Sequence, residues 1–169
     1  IDYKVDVAII NAGSIKSETF FQQNYKFVEK DIKKMFSRDS KMEVIEVLGS
    51  DLIKVFELFF QYLPAANGNF IVFSGIRMKV NEKAPKGSKI IHNSVMIGDD
   101  RLDLDFKYTL AILDFLLGVV LKQYPDINKR KFAFPVEEQK RPIDSLKTFL
   151  QLPTDPDNFR EFQLFHQTF

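Results

Sequence analysis

Short β-branched runs interrupted by only two helical stretches fill residues 1–110, and they follow no strict strand–helix–strand rhythm. That order constrains the fold most, because a doubly wound parallel sheet needs a crossover helix between successive strands. The expected architecture is α+β, a mixed β-sheet packed with helices. The first run, Val5 to Ile10, alternates as a half-buried strand does. Lys26 to Phe36 spaces Phe27, Val28, Ile32, Met35 and Phe36 for a short amphipathic helix, and Met42 to Leu48 suits a strand. Gly49-Ser50-Asp51 starts a helix expected to reach Tyr62 and stop at Leu63-Pro64. Its apolar residues cover more than one face, which predicts burial on two sides. Phe70 to Phe73, Ile76 to Val80, Lys89 to Ile97 and Tyr108 to Leu113 are further strand candidates, with Ala84-Pro85-Lys86-Gly87 as a turn. Leu116 to Tyr124 and Pro142 to Leu152 are expected to be helices. There is no internal repeat.

Composition narrows the function. At 169 residues, 45% of them hydrophobic and eighteen of them Phe, the chain suits a single core. It divides into a domain over 1–152 and a linker with an aromatic tail over 153–169. Twenty-four basic residues against twenty-three acidic ones leave a net charge of +1, which gives no footprint for nucleic acid. The absence of cysteine excludes disulfides, thiolate metal ligands and a cysteine nucleophile. The apolar run Leu110 to Leu121 is interrupted by Asp114 and falls short of the ~20 residues of a membrane helix, so no membrane span is expected. With no signal-like start and no Asn-x-Ser/Thr acceptor, an intracellular compartment is favoured. The chain opens inside a strand, which suggests a piece of something longer.

The chief candidate site is the turn Asn11-Ala12-Gly13-Ser14-Ile15-Lys16 that closes the first strand. Small residues let backbone N–H groups approach a ligand, and an amide beside an ammonium can fix a carboxylate, hydroxyl or phosphate. The competing reading is a plain turn capping a buried strand. His92 and His166 lie far apart without metal-ligand spacing and are read as a strand and a tail histidine. Asp99, Asp100, Asp103 and Asp105 lack a calcium loop's glycine and terminal glutamate, so a solvated hairpin or loop is expected there. Lys129-Arg130-Lys131 and Lys140-Arg141 are expected to be solvated loop. No catalytic residue and no metal ligand is assigned.

In order, these pieces resemble the C-terminal, nucleotide-recognition domain of the 5′-nucleotidase family over roughly residues 4 to 121. The family's opening strand ends in Asn-Gly-Gly-Gly-Ile-Arg, matched by Asn11 to Lys16. Its next helix and Pro-Phe loop match Val28 to Phe36 and Ser37-Arg38, and its strand ending in Gly before a helix matches Met42 to Gly49 with Asp51 to Tyr62. Phe70 to Ile76, Arg77 to Glu82 and Pro85-Lys86-Gly87 follow the family order, as do Tyr108 to Leu113 and Asp114-Phe115-Leu116. The resemblance implies ligand binding at Asn11, Gly13 and Lys16, with Phe115 as one of two aromatics that sandwich a base.

The departures bear on that site. The second aromatic position falls at Ser37-Arg38, Lys16 keeps a charge but loses the planar guanidinium fork, and the family's Asn-Gly-Gly-Asp is replaced by Leu117-Gly118-Val119-Val120-Leu121. Losing one stack and one bidentate contact removes roughly 2–4 kcal/mol, or about one to three decades of affinity. Weak binding of a nucleoside or nucleotide, or none, is expected. In the resembled family catalysis belongs to a preceding domain holding two divalent metal ions, so no cofactor is expected in this segment.

Phe159, Phe162, Phe165 and Phe169 recur at three, three and four residues and form one aromatic stripe if helical. The stripe either closes the domain's own core or docks on a protein partner, since so short an apolar helix needs a cover. Two functional readings follow: a structural or scaffolding module that has kept the fold and degraded the ligand site, or the substrate-recognition domain of an active metal-dependent nucleotide phosphohydrolase.

Overall fold

The computed structural model describes residues 5–16, 20–36, 40–65 and 67–127 in full and the backbone of 128 and 129. Ser37-Arg38, the expected helix Pro142 to Leu152, the basic stretches at 130–131 and 140–141, His166 and the Phe159–Phe169 stripe lie outside the described residues.

A four-stranded mixed sheet forms the centre, in the order β2 (Met42–Leu48), β7 (Lys107–Leu113), β1 (Val7–Asn11) and β3 (Ile71–Ser74). Strand β1 (Val7–Asn11) buries Val7, Ile9 and Asn11 and leaves Ala8 and Ile10 half-buried, which is the period of two its sequence carries. It pairs in parallel with β7 (Lys107–Leu113), placing Val7 opposite Leu110 and Ile9 opposite Ile112. On its other side β1 runs antiparallel to β3 (Ile71–Ser74), with Asn11 opposite Ile71. Strand β2 (Met42–Leu48) joins β7 antiparallel, from Met42 opposite Leu113 to Leu48 opposite Lys107. Tyr108 and the run Leu110 to Leu113 are buried, as an inner strand covered on both faces requires. Asp6 fixes the parallel register, because its carboxylate accepts both the Thr109 N–H and the Thr109 hydroxyl at 2.7 Å.

Helix α1 (Glu29–Met35) is shorter at its start than the periodicity from Lys26 suggests. Asp31 sets that start: its Oδ2 accepts the Val28 N–H at 3.1 Å and the Tyr25 hydroxyl at 2.9 Å. This is the back-reaching half of a capping box. Helix α2 (Gly49–Phe60) follows β2 directly and has no side-chain cap. The loop before β7 caps it, with the Phe106 and Leu104 carbonyls accepting the N–H groups of Gly49 and Ser50 at 3.0 and 2.9 Å. Its expected two-sided burial is present, from Leu52 and Ile53 through Phe59 and Phe60. Phe56 meets Phe73 of β3 edge to face at 5.3 Å. Helix α3 (Asp114–Gln123) continues from β7 and buries Leu116, Leu117 and Val120.

The segment between β3 and β7 departs most from the sequence reading. Ile76 to Val80 and Lys89 to Ile97 supply only β4 (Ile76–Arg77), β5 (Met96–Ile97) and an isolated bridge between Val80 and Ile90. With β6 (Asp100–Arg101) they form a small sheet in the order β4-β5-β6. Side-chain hydrogen bonds displace the longer ladder: Ser94 Oγ accepts the Lys79 N–H at 2.8 Å and donates to the Ile91 carbonyl at 2.6 Å, while His92–Ser94 form a 3₁₀ turn. The hairpin or loop expected at Asp99 to Asp105 is present, with Gly98 and Asp99 in the β5–β6 turn and Arg77 bonded to Asp99 at 3.1 Å. Gly75 turns the chain from one sheet to the other at φ 81°, and a Cβ there would sit 1.9 Å from the Asp6 carbonyl oxygen.

A buried polar pair anchors this segment to α2. Glu57, 5% exposed, accepts the backbone N–H groups of Lys89 at 3.0 Å and Ile90 at 2.6 Å. The Lys89 ammonium, 4% exposed, donates to the carbonyls of Leu63, Glu82 and Ala84 at 3.0, 2.7 and 2.9 Å. Every hydrogen of the ammonium has an acceptor, which is what allows a lysine to be buried.

Candidate functional site

Because β1 and β7 are parallel, their carboxyl ends leave the sheet on the same edge. The chain following each strand is therefore brought together there, the place where sheets with parallel strands usually present ligands. From β1 come Asn11, Gly13 and Lys16; from β7 come Asp114 and Phe115. The amino end of β2 and the turn before β3 complete the edge, through hydrogen bonds from Asp114 N–H to the Lys41 carbonyl at 2.9 Å and from Ala12 N–H to the Phe70 carbonyl at 2.7 Å. The carboxyl end of α1 joins it, as the Met35 carbonyl accepts the Lys16 N–H at 2.8 Å.

The four candidate residues present themselves differently. Asn11 is 3% exposed and its amide is engaged at both ends. Its Oδ1 accepts the Ser14 hydroxyl, and its Nδ2 donates to the Gly68 carbonyl at 3.3 Å. Gly13 is exposed, yet a Cβ there would lie 2.8 Å from the Gly68 oxygen, so the approach of the two turns requires glycine. Lys16 is exposed. Phe115 is 44% exposed on the first turn of α3, while its neighbours Leu116 and Leu117 do the packing. Asp114 stands beside it, its Oδ1 accepting the Phe115 N–H at 2.7 Å.

Ser14 and Gly68, which hold Asn11, carry no sequence signal for this role: one is a common turn residue and the other is 57 positions away from its partner. The stretch before α1 adds an aromatic cluster that the sequence does not single out. Phe21 lies 4.7 Å from Tyr25 and 4.6 Å from Phe27, ring centre to ring centre. The Asp31 carboxylate bonded to the Tyr25 hydroxyl raises that phenol above its ordinary pKa of 10.0, by the hydrogen bond first and by its charge in addition. The spacing Phe21-x-x-x-Tyr25-x-Phe27 is the signal available for it. Along α3, the position of the family's Asn-Gly-Gly-Asp is helical, with Val120 fully buried and Val119 packed against the core.

Among the described residues no group of three or more His, Cys, Asp or Glu side chains is placed to hold a metal ion, and no helix is long and apolar enough to cross a membrane. His92 sits in its 3₁₀ turn after the Ile90 bridge, on the small-sheet side of the chain.

Comparison with known proteins gives this arrangement a family. A 5′-nucleotidase from Diplobatis ommata is 26% identical over 98 residues, covering 58% of this chain and 17% of that protein. The structure of an NAD nucleotidase from Haemophilus influenzae superposes with a TM-score of 0.66 at 18% identity, covering 87% of this chain and 27% of the other. That of a 5′-nucleotidase precursor from Thermus thermophilus gives 0.63 at 16% identity, with 86% and 29% covered. The chain thus spans less than a third of the length of each of these relatives. The model of the 5′-nucleotidase C-terminal domain matches residues 1–121, from before the first strand to the last turn of α3, and the chain belongs to that family.

Proposed function

We propose that this chain is a divergent nucleotide-recognition domain that has kept the family's fold as a structural module and retains at most weak nucleotide binding. The observation that carries the reading is the state of Asn11. A ligand-facing amide is open to the ligand, whereas Asn11 is only 3% exposed and is held within the fold by one bond at each end, to Ser14 and Gly68. The replacement of the family's polar segment by Val119 and Val120, packed into or against the core, supports the same reading. The divalent metal ions and the hydrolytic step implied by the family belong to a domain other than this one, and no step is assigned to residues of this chain. The second reading, substrate recognition for an active nucleotide phosphohydrolase, is favoured by one observation, the exposed ring of Phe115. Titration with AMP and adenosine, followed by NMR or calorimetry, decides between them. No saturation below millimolar concentration is expected; a micromolar site lost in Phe115→Ala overturns the structural-module reading.

A further inference from the structure

A concave surface lies apart from the residues of the β1–β7 edge. A cleft of about 610 Å³ opens between the C-terminal turns of α2 and α3 and the Lys86-Gly87 turn, a volume in the range that holds a small organic molecule. Its lining joins apolar surface from Leu58 and Val119 to two tyrosines, Tyr62 and Tyr124. Tyr62 is 43% exposed, so its ring is available to stack.

The exposed charge in the cleft is positive. Lys86 and Lys122 both line it, and among the described residues neither forms an ion pair with a carboxylate. Lys86 Nζ stands 5.1 Å from the centre of the Tyr62 ring, so cation and ring share one wall. The acidic residue of the lining, Glu57, has both carboxylate oxygens committed to the Lys89 and Ile90 N–H groups. Two helices end here, and their carboxyl ends would ordinarily favour a cation. Three of their last carbonyls are engaged within the fold: Leu58 by Gln61 Nε2 at 2.7 Å, Phe60 by the Leu63 N–H at 3.0 Å, and Val120 by the Tyr124 N–H at 2.8 Å. The two ammonium groups remain as the exposed charges beside the ring, with no carboxylate bonded to either among the described residues.

We propose that this cleft binds a small anionic aromatic molecule, with its ring against Tyr62 and its carboxylate or phosphate between Lys86 and Lys122. The proposal is independent of the nucleotide reading, because Phe115, Asn11, Gly13 and Lys16 do not line the cleft.

The test is a ¹H–¹⁵N NMR titration of the full chain with phenyl phosphate, benzoate and phenol. Phenyl phosphate, benzoate or both shift the Tyr62, Gly87 and Lys122 amides saturably, and whichever binds tighter identifies the preferred anion. Phenol gives no saturable shift. Lys86→Ala and Lys122→Ala, both at exposed positions, each weaken binding by about threefold to fivefold, as loss of an exposed charge contact of up to ~1 kcal/mol does. Phe115→Ala leaves the titration unchanged, so this result and the AMP result are separable. The proposal is overturned if phenol binds as well as the anions, if neither lysine variant weakens binding, or if the shifts centre on Gly13 and Phe115 instead.

Discussion

Replacing Asn11 by Asp separates a latch from a ligand contact with almost no change of shape. In the native turn Oδ1 accepts the Ser14 hydroxyl and Nδ2 donates to the Gly68 carbonyl at 3.3 Å. An aspartate keeps the first bond but turns a second oxygen toward a carbonyl oxygen, at a position only 3% exposed. Setting an ionised carboxylate there against an acceptor costs about 3 kcal/mol. Asn11→Ala costs less, about 1–2 kcal/mol, because Ser14 is half-buried and Gly68 exposed, so water can replace what both groups lose. Urea unfolding by circular dichroism reads both, and at a slope of about 1–3 kcal/mol per molar the Asp variant's midpoint falls by about 1–3 M. The pH dependence identifies the cause. Burial and the facing carbonyl raise the aspartate's folded pKa above the unfolded value of about 3.9, so the folded variant holds the extra proton. Its stability therefore falls as pH rises through that interval, and the deficit relative to wild type shrinks as pH is lowered toward 4. If Asn11→Asp matches wild type at pH 7, the amide is not a latch and the structural reading of the turn fails.

Glu57→Ala strands the buried N–H groups of Lys89 and Ile90 and is expected to cost about 3–5 kcal/mol, with hydrogen exchange at those two amides accelerating most; unchanged protection there would show that the segment does not depend on the carboxylate. Tyr25 should titrate above pH 10.0 in a ¹³C NMR titration, and Asp31→Asn should bring it back toward that value. Since the folded pKa is the raised one, the stabilisation it reports is fully present at neutral pH and is lost as pH rises past 10 through the folded value. A Tyr25 that titrates identically in both proteins refutes the Asp31 bond.

Legibility in the sequence follows local chemistry. Strands β1, β2 and β7 and helices α2 and α3 follow apolar periodicity, which places each within a few residues. The small sheet is legible in place but not in extent: β4 and β5 fall within the expected strands, but Ser94 diverts the Lys79 N–H from a longer ladder, and no propensity anticipates a side chain fifteen positions away. The same limit applies to the site. The parallel pairing that brings Phe115 to the edge of Asn11 depends on Asp6 meeting Thr109 across 103 positions. In the sequence those two segments are joined by family resemblance, since nothing in the spacing of the residues joins them. Asn11 stands out at the end of its strand, but a ligand-facing amide and a buried, latched one look alike until Gly68 is in place.

The structure divides the four candidates in a way that bounds the affinity. Asn11 and Gly13 are accounted for by the fold, one as the latch to Gly68 and the other by the close approach of that turn. The fold gives no such account of Phe115, whose ring stays 44% exposed while Leu116 and Val120 supply the packing, nor of the exposed Lys16 ammonium. Of the four candidates, these two are the ones left with exposed side chains to meet a ligand. One base stacked on one ring contributes about 1–3 kcal/mol, and one exposed lysine against a phosphate about 0–1 kcal/mol. Their sum of about 1–4 kcal/mol corresponds to a dissociation constant no tighter than about 1 mM. A micromolar site would need about 4 kcal/mol more than these residues offer, and would require a further wall from another part of the protein.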